Sequence, residues 1–256
     1  MSITSKSAIQ LFAERLRARS RLNDAETDAV MALKGHVAVA HANVDIVSPG
    51  ELVDHACLIV DGLAARFGQA LDGRRQITAF HIAGDMCDLH SVVLPRVSWA
   101  LQALSTTAVL KIAHRDLRAV AQAFPNVAEA FWRECSVDAS VLSQWVVNVG
   151  QREAVPRLAH LLCEMAVRME TNGLGKRTAF RLEASQAQLG DALGLTSVHV
   201  NRTLRVLRES GAMSLVSREV RIDDWPRLVA IGDFDEAYLQ ISAQPEGRIG
   251  SEMVGR

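Results

Sequence analysis

Side chains suited to metal coordination or nucleophilic chemistry are sparse in this 256-residue chain, and most lie far apart. Cys57, Cys87, Cys135 and Cys163 form no Cys-X-X-Cys pair, so they read as reduced thiols rather than a disulfide frame. The nearest pair of soft ligands is Cys87 and His90, in GDMCDLHS. Thiolate and imidazole can both ligate haem iron. An i,i+3 pair in a strand or turn, however, points to different faces, so a buried cysteine and a hydrogen-bonded turn histidine form the bland alternative. His36, His41, His55 and His81 show no metal spacing, and there is no HxH, GxSxG or P-loop pattern. A cupin-like metal enzyme would need such a pattern, so the chain reads as non-enzymatic. Asp85, Asp88 and His90 crowd one turn, where they could hold a small effector or simply cap the backbone.

A second chemistry is written between Leu182 and Ile222. Ser185 with Gln188 three residues on predicts a capping box, and Gly194 a left-handed helix end. Thr196 then caps a helix running to about Ser210, with Gly211 stopping it. Two helices on a tight glycine turn make a helix-turn-helix, whose second helix docks in the DNA major groove. At 100° per residue Val200, Leu204 and Leu207 share the core face. Val198, Arg202, Arg205 and Glu209 then face outward with Asn201 at their edge. Arginine suits guanine or phosphate, and valine a thymine methyl. Ser197 and the helix N-terminus suit a phosphate. Lys176–Arg221 carries eight basic residues against four acidic ones, although the whole chain has a net charge of −1. A basic module is what the DNA backbone demands. SLVSREVRI predicts a hairpin wing with Arg218 at its tip.

These groups need elements to hold them. Residues 1–33 predict two helices, with Ile9, Leu11, Phe12 and Leu16 near one face and Asn23–Asp24 as a cap. Residues 34–123 alternate short apolar runs with turns at Gly50, Gly62, Gly73 and Gly84, which predicts an antiparallel roll. Residues 124–152 predict one long helix. Phe131, Cys135, Asp138, Leu142, Trp145 and Val149 follow a heptad rhythm there, and Trp132, Ala139 and Val146 form a second stripe beside it. One stripe packs inward and the other meets a second copy; the heptad residues Phe131, Cys135, Leu142, Trp145 and Val149 are assigned to the dimer contact. Residues 153–236 hold the DNA-binding unit, and 237–256, rich in glycine, predict a disordered tail. The fold class is thus α+β. No apolar run reaches the roughly 20 residues of a membrane span, and Met1–Gln10 has no secretory h-region. A cytoplasmic protein is expected.

The stretch SQAQLGDALGLTSVHVNRTLRVLRESGAM resembles the winged helix-turn-helix of the Crp/Fnr family of bacterial transcription regulators. The glycine-punctuated roll, the GDM turn at Gly84, the long helix and the break before RLAHLLCEMA extend the resemblance over about residues 37–235. It implies a jelly-roll-like sensor, a homodimer on the long helix, a palindromic operator and RNA polymerase as a partner. Base-reading positions correspond to Ser197, Val198, Asn201 and Arg202, with Ser185, Gln186, Thr196, His199, Arg205 and Arg218 also on the DNA side. Val198 stands where many members carry glutamate or arginine, so the resemblance does not carry over an operator sequence. Members that bind cyclic nucleotides carry a glutamate after the GD turn and an Arg-Ser pair. This chain has Met86 after Gly84-Asp85, and Val97 splits Arg96 from Ser98. A cyclic nucleotide is therefore not expected, although Arg96 and Ser98 would be its contacts. An N-terminal iron–sulfur cluster is excluded, because no cysteine precedes Cys57. Cys87 and His90 sit at a place resembling the haem ligands of the family's carbon monoxide sensor.

Overall fold

The computed structural model describes residues 5–241, with side chains from residue 7 onward. Two helices open the chain: α1 (Ser5–Arg19) and α2 (Asp24–Met31). Asn23 caps α2 by accepting from the Glu26 amide at 2.9 Å, and the Glu26 carboxylate accepts from the Asn23 amide in return. Ile9, Phe12 and Leu16 are buried on the inner face of α1.

Seven antiparallel strands follow: β1 (His36–Ala40), β2 (Asp45–Val47), β3 (His55–Asp61), β4 (Ala64–Gln69), β5 (Arg75–His81), β6 (Ala100–Ala103) and β7 (Thr107–Ala113). They form two sheets, ordered β1-β7-β3 and β2-β6-β4-β5. Period-two alternation turns one face of each sheet toward the other. Val47, Val53, Cys57, Ile59, Val97, Leu101 and Val109 fill the space between them. The turns are where the glycines predicted them. At Gly62 (φ +92°) a Cβ would lie 2.5 Å from the Thr106 carbonyl oxygen, so only glycine fits. Gly84 (φ +89°) has the side chain of Leu11 against it, and α1 thereby rests on that turn.

After α3 (His114–Ala123), α4 runs from Pro125 to Gln151, about 40 Å at 1.5 Å per residue. Of the residues assigned to the dimer contact, Phe131 and Trp145 turn inward instead, and Leu142 stays exposed. Phe131 packs on Phe12 with ring centroids 6.2 Å apart, and Trp145 meets Phe80 edge-on at 5.5 Å. Both are buried inside the protomer, so they cannot be dimer contacts. Cys135 packs half-buried on the N-terminal cluster, and Val149 lies half-buried beside the Gly194 turn. Positions 131, 138 and 145 are seven apart and look inward because apolar surface is waiting on α1 and β5. Asp138 is tolerated on that side because Arg66 donates to it at 2.6 Å. The outward stripe is the second one. Trp132 is 71% exposed and Val146 66%, with Leu142, at 40%, on its margin.

The chain turns at Arg152 into α5 (Ala154–Thr171), which is buried almost all round from Leu158 to Val167. Such a helix belongs in the middle of a protein. On one side lies Phe80 of the roll; on the other lie β8 (Ala179–Arg181), α6 (Gln186–Leu193), α7 (Ser197–Glu209), β9 (Met213–Val216), β10 (Glu219–Ile222) and α8 (Trp225–Gly232). One apolar cluster runs unbroken from Phe67, Ile77 and Phe80 through Leu161 and Met165 to Leu189, Leu207 and Val220. The sequence expectation of a loose tail from residue 237 is corrected for 237–241. Glu236–Leu239 forms a 3₁₀ turn, with Tyr238 and Leu239 buried and the Tyr238 hydroxyl donating to Glu164 at 3.0 Å. Those side chains pack in the apolar cluster around α5. The remainder of that expectation, 242–256, lies outside the described residues.

Candidate nucleic-acid interface

The C-terminal sheet, ordered β8-β10-β9, supports a two-helix unit whose local chemistry follows the sequence. Ser185 and Gln188 form the reciprocal capping box on α6, and Gly194 ends that helix at φ +64°. Thr196 Oγ1 accepts from the His199 amide at 3.3 Å and starts α7. A residue overlooked in the sequence completes the turn. A Cβ on Gly190 would lie 2.5 Å from the Leu195 carbonyl oxygen, so glycine lets the two helices close up. The GDALG spacing before Leu195 carried that signal.

Val200, Thr203, Leu204 and Leu207 anchor α7 to the core. The opposite face is open: Ser197, Val198, His199, Asn201, Arg202 and Arg205 are all exposed, Val198 at 71%. A shallow groove brings together Gln186, Ser197, Val198, Asn201, Arg202 and Arg205. Asn201 Nδ2 donates to Gln186 Oε1 at 3.4 Å, tying the two helices at the groove floor. Arg205 pairs loosely with Glu209 at 3.7 Å, whereas no ion pair or hydrogen bond within the described residues engages the Arg202 guanidinium. Ser185 is half-buried and its hydroxyl is committed to the cap. At the hairpin tip, Ser217 and Arg218 both adopt positive φ, and Arg218 donates to Glu183 at 2.7 Å. Arg218 is exposed but already paired.

Of the residues assigned to an effector pocket, Asp85 and His90 border one cavity, while Asp88, Arg96 and Ser98 do not line it. Arg96 is exposed and donates to the Gly50 carbonyl at 3.0 Å, and Ser98 is exposed nearby. Asp88 is fully buried and accepts from the Cys57 amide at 2.6 Å, while its Oδ2 has no hydrogen-bond partner among the described residues. Burial raises its carboxyl to about 6. His90 sits edge-on to Trp99 at 5.4 Å, and burial lowers its imidazole. Burial pushes the Cys87 thiol well above its ordinary value, which disfavours the thiolate that a haem iron would take. Among the described residues no group of three or more His, Cys, Asp or Glu side chains is placed to hold a metal ion.

Asp85 does something the sequence did not show. It accepts from Arg15 at 2.5 Å and Arg168 at 2.8 Å, joining the Gly84 turn to α1 and α5. Burial alone would raise its carboxyl, but the two guanidiniums and the Ile82 amide hold it down at about 2. Arg15 and Arg19 also reach Glu134 of α4, at 3.0 and 2.6 Å. Arg168 continues to Glu164, which in turn accepts from Trp145 at 2.9 Å. A cavity of about 110 Å³ opens among these groups and is bordered by His81, Val137, Val141 and Leu239. His81 is 4% exposed and its Nε2 has no hydrogen-bond partner among the described residues. Burial, with Arg66 close by, lowers its imidazole to about 3.

Known proteins bear on this geometry. A family pattern described as a Crp-like helix-turn-helix domain matches residues 156–231. The nitrogen fixation regulation protein FixK of Azorhizobium caulinodans is 29% identical over 196 residues, covering 76% of this chain and 78% of that protein. The fumarate and nitrate reduction regulatory protein of Salmonella typhi is 27% identical over 159 residues, 62% of this chain and 63% of that protein. The solved structure of FixK2 from Bradyrhizobium japonicum is similar with a TM-score of 0.70 at 26% identity, over 78% of this chain and 98% of that one.

Proposed function

The chain belongs to the Crp/Fnr family of transcription regulators, and on that premise we propose that two copies read a palindromic operator through paired α7 helices. The observation that carries this reading is the open face of α7, where Arg202, unpaired among the described residues, stands beside Val198, Asn201 and Gln186. Val198 meets a thymine methyl, and Asn201 and Arg202 offer donors to base edges. Ser197 and Arg205 hold phosphates and set the register. Two such helices reach successive major grooves when their centres lie about 34 Å apart. The copies pair along the outward stripe of α4, Trp132, Ala139, Leu142 and Val146, whose apolar surface is otherwise left to water. The protein is a regulator and not an enzyme. It works in the cytoplasm, with RNA polymerase as a further partner, and an effector shifts it between arrangements that differ in DNA affinity. No helix among the described residues is long and apolar enough to cross a membrane.

Selection from a random duplex library followed by binding titration tests the reading. A two-fold symmetric consensus bound by a dimer is the expected result. Binding that is indifferent to sequence, or a 1:1 complex on an asymmetric site, would overturn it.

A further inference from the structure

Along the chain, the pairing helix α4 reaches the DNA-binding unit through the turn at Arg152, an extended residue (φ −89°, ψ 144°) ahead of α5. Two α7 helices meet one operator only when that turn holds the same angle in both copies. Each base pair added between half-sites moves one of them by about 3.4 Å and rotates it by about 35°. The apolar packing of α5 on Phe80 resists separation, but hydrocarbon contact is non-directional and permits sliding. Directed bonds across the turn are what fix an angle.

The segment Asp233–Gln240, beyond α8, supplies them. Its near end belongs to the DNA-binding side. The Asp233 carbonyl accepts from Arg152 at 3.1 Å, and Glu236 pairs with Arg177 at 3.4 Å. Phe234 meets His160 of α5 edge-on at 5.2 Å, and Tyr238 stacks on the same ring at 5.8 Å. Its far end crosses to the other half. Arg19, which closes α1 and is only 9% exposed, commits its whole guanidinium there. Nη2 donates to the Leu239 carbonyl at 2.8 Å, Nε to the Gln240 carbonyl at 3.2 Å and Nη1 to Glu134 of α4 at 2.6 Å. Carbonyls at the end of a helical turn have no partner within it, and a planar fork fixes their direction as well as their distance. Gln240 takes φ +50°, which a non-glycine residue keeps only where its surroundings hold it. Glu134 is itself held by Arg15 at 3.0 Å, so the clamp has a firm seat on α1 and α4.

We propose that Arg19 is a positioning residue for operator binding: by clamping the Leu239 and Gln240 carbonyls to Glu134 it fixes the angle between the pairing helix and the DNA-binding unit, and so sets the half-site spacing that the dimer accepts. The proposal rests on the reading of the chain as a dimer on a palindromic operator. Arg19 touches no DNA in it.

The full chain is titrated with its selected operator, with duplexes whose spacer is one base pair longer or shorter, and with a single half-site. The parent should lose about tenfold on either altered spacer, the order of one mismatched base pair. Arg19→Met should bind the native spacing about three- to tenfold more weakly, the worth of one or two hydrogen bonds, yet lose less than about threefold further on an altered spacer. Its affinity for the single half-site should equal the parent's. Arg19→Lys, which returns the charge beside Glu134 and one carbonyl bond, should recover part of the spacing penalty. A residue that merely stabilised the fold would lower binding to every duplex alike, and that outcome overturns the proposal. Should Arg19→Met not fold, Tyr238→Phe decides. It keeps the ring and removes only the hydroxyl bond to Glu164, loosening the same segment from its other end; an unchanged spacing penalty there overturns the proposal. A parent indifferent to spacing, or a penalty shared in full by folded Arg19→Met, sinks the clamp alone. A parent that selects no two-fold operator sinks the regulator reading and the clamp with it.

Discussion

Replacing Arg202 by alanine removes a cation that has no partner within the described part of the protomer. Stability should stay within about 0.5 kcal/mol of the parent, while operator affinity falls by about 1–3 kcal/mol and selectivity relaxes at one base pair of each half-site. Competition titrations against single-base operator variants check this; an equal loss on every sequence would make Arg202 a phosphate contact. Asp88 tests the opposite kind of residue. Its carboxyl is raised from 3.8 to about 6, so the folded state holds the proton more tightly than the unfolded chain. Its contribution is thus fullest below pH 4 and lost as pH rises through 6, at a cost on the order of 2–3 kcal/mol. Asp88→Asn keeps the acceptor for the Cys57 amide and should raise stability at pH 7 by a fraction of that. His81 has the contrary sign. Its imidazole falls from 6.5 to about 3 on folding, so its contribution is present above pH 6.5 and drains away as pH drops toward 3. Urea melts from pH 3 to 7.5 should show the His81→Leu protein losing less stability on acidification than the parent. Val198, Asn201 and Arg202 were legible because 100° geometry on one helix exposes them. The buried His81 and the Asp85–Arg15–Arg168 cluster were not, because the partners stand 70 and 83 residues from Asp85 and no spacing encodes such meetings.

The long helix α4 shows how far periodicity reaches. Seven-residue repeats at 131/138/145 and at 132/139/146 were both visible, but they differ by one residue, and the pattern alone does not say which meets its own protomer. Packing decided it. Phe12 and Phe80 take the first set, and Trp132 and Val146 are left outside. Two substitutions on the same helix should therefore behave differently. Val146→Asp should give folded monomers in sedimentation, with weakened operator binding, because a charge would be buried at the pairing face. Trp145→Ala should cost about 3–5 kcal/mol of stability, through the cavity it opens and the bond Glu164 loses. A fully dimeric Val146→Asp protein would show that pairing uses another surface. The two short helices of the DNA-binding unit were easier to read, because caps and glycines act locally; Ser185, Gln188, Gly194 and Thr196 do in space what their spacing foretold.

In the molecule as a whole, the DNA-binding unit is docked on the roll as well as tethered to it. Gln76 donates to the Ala192 carbonyl at 3.0 Å, Arg75 lies 3.4 Å from Asp191, and α5 is clasped between the two lobes. The order roll, long helix, helix-turn-helix could be read along the sequence. The docking could not, since it is built from apolar faces that each look complete in isolation. Operator binding itself should weaken steeply with salt, each neutralised phosphate adding about 0.9 to the slope of log K against log salt; a slope near zero would leave the arginine face without a role. The shared hydrocarbon around α5 also limits what can be cut away. Severed at Arg152, the C-terminal part would carry a bare greasy flank where Phe67, Ile77 and Phe80 used to sit. Such a fragment should clump rather than dissolve, and a protease nick at that hinge should leave the two pieces clinging together in a sizing column.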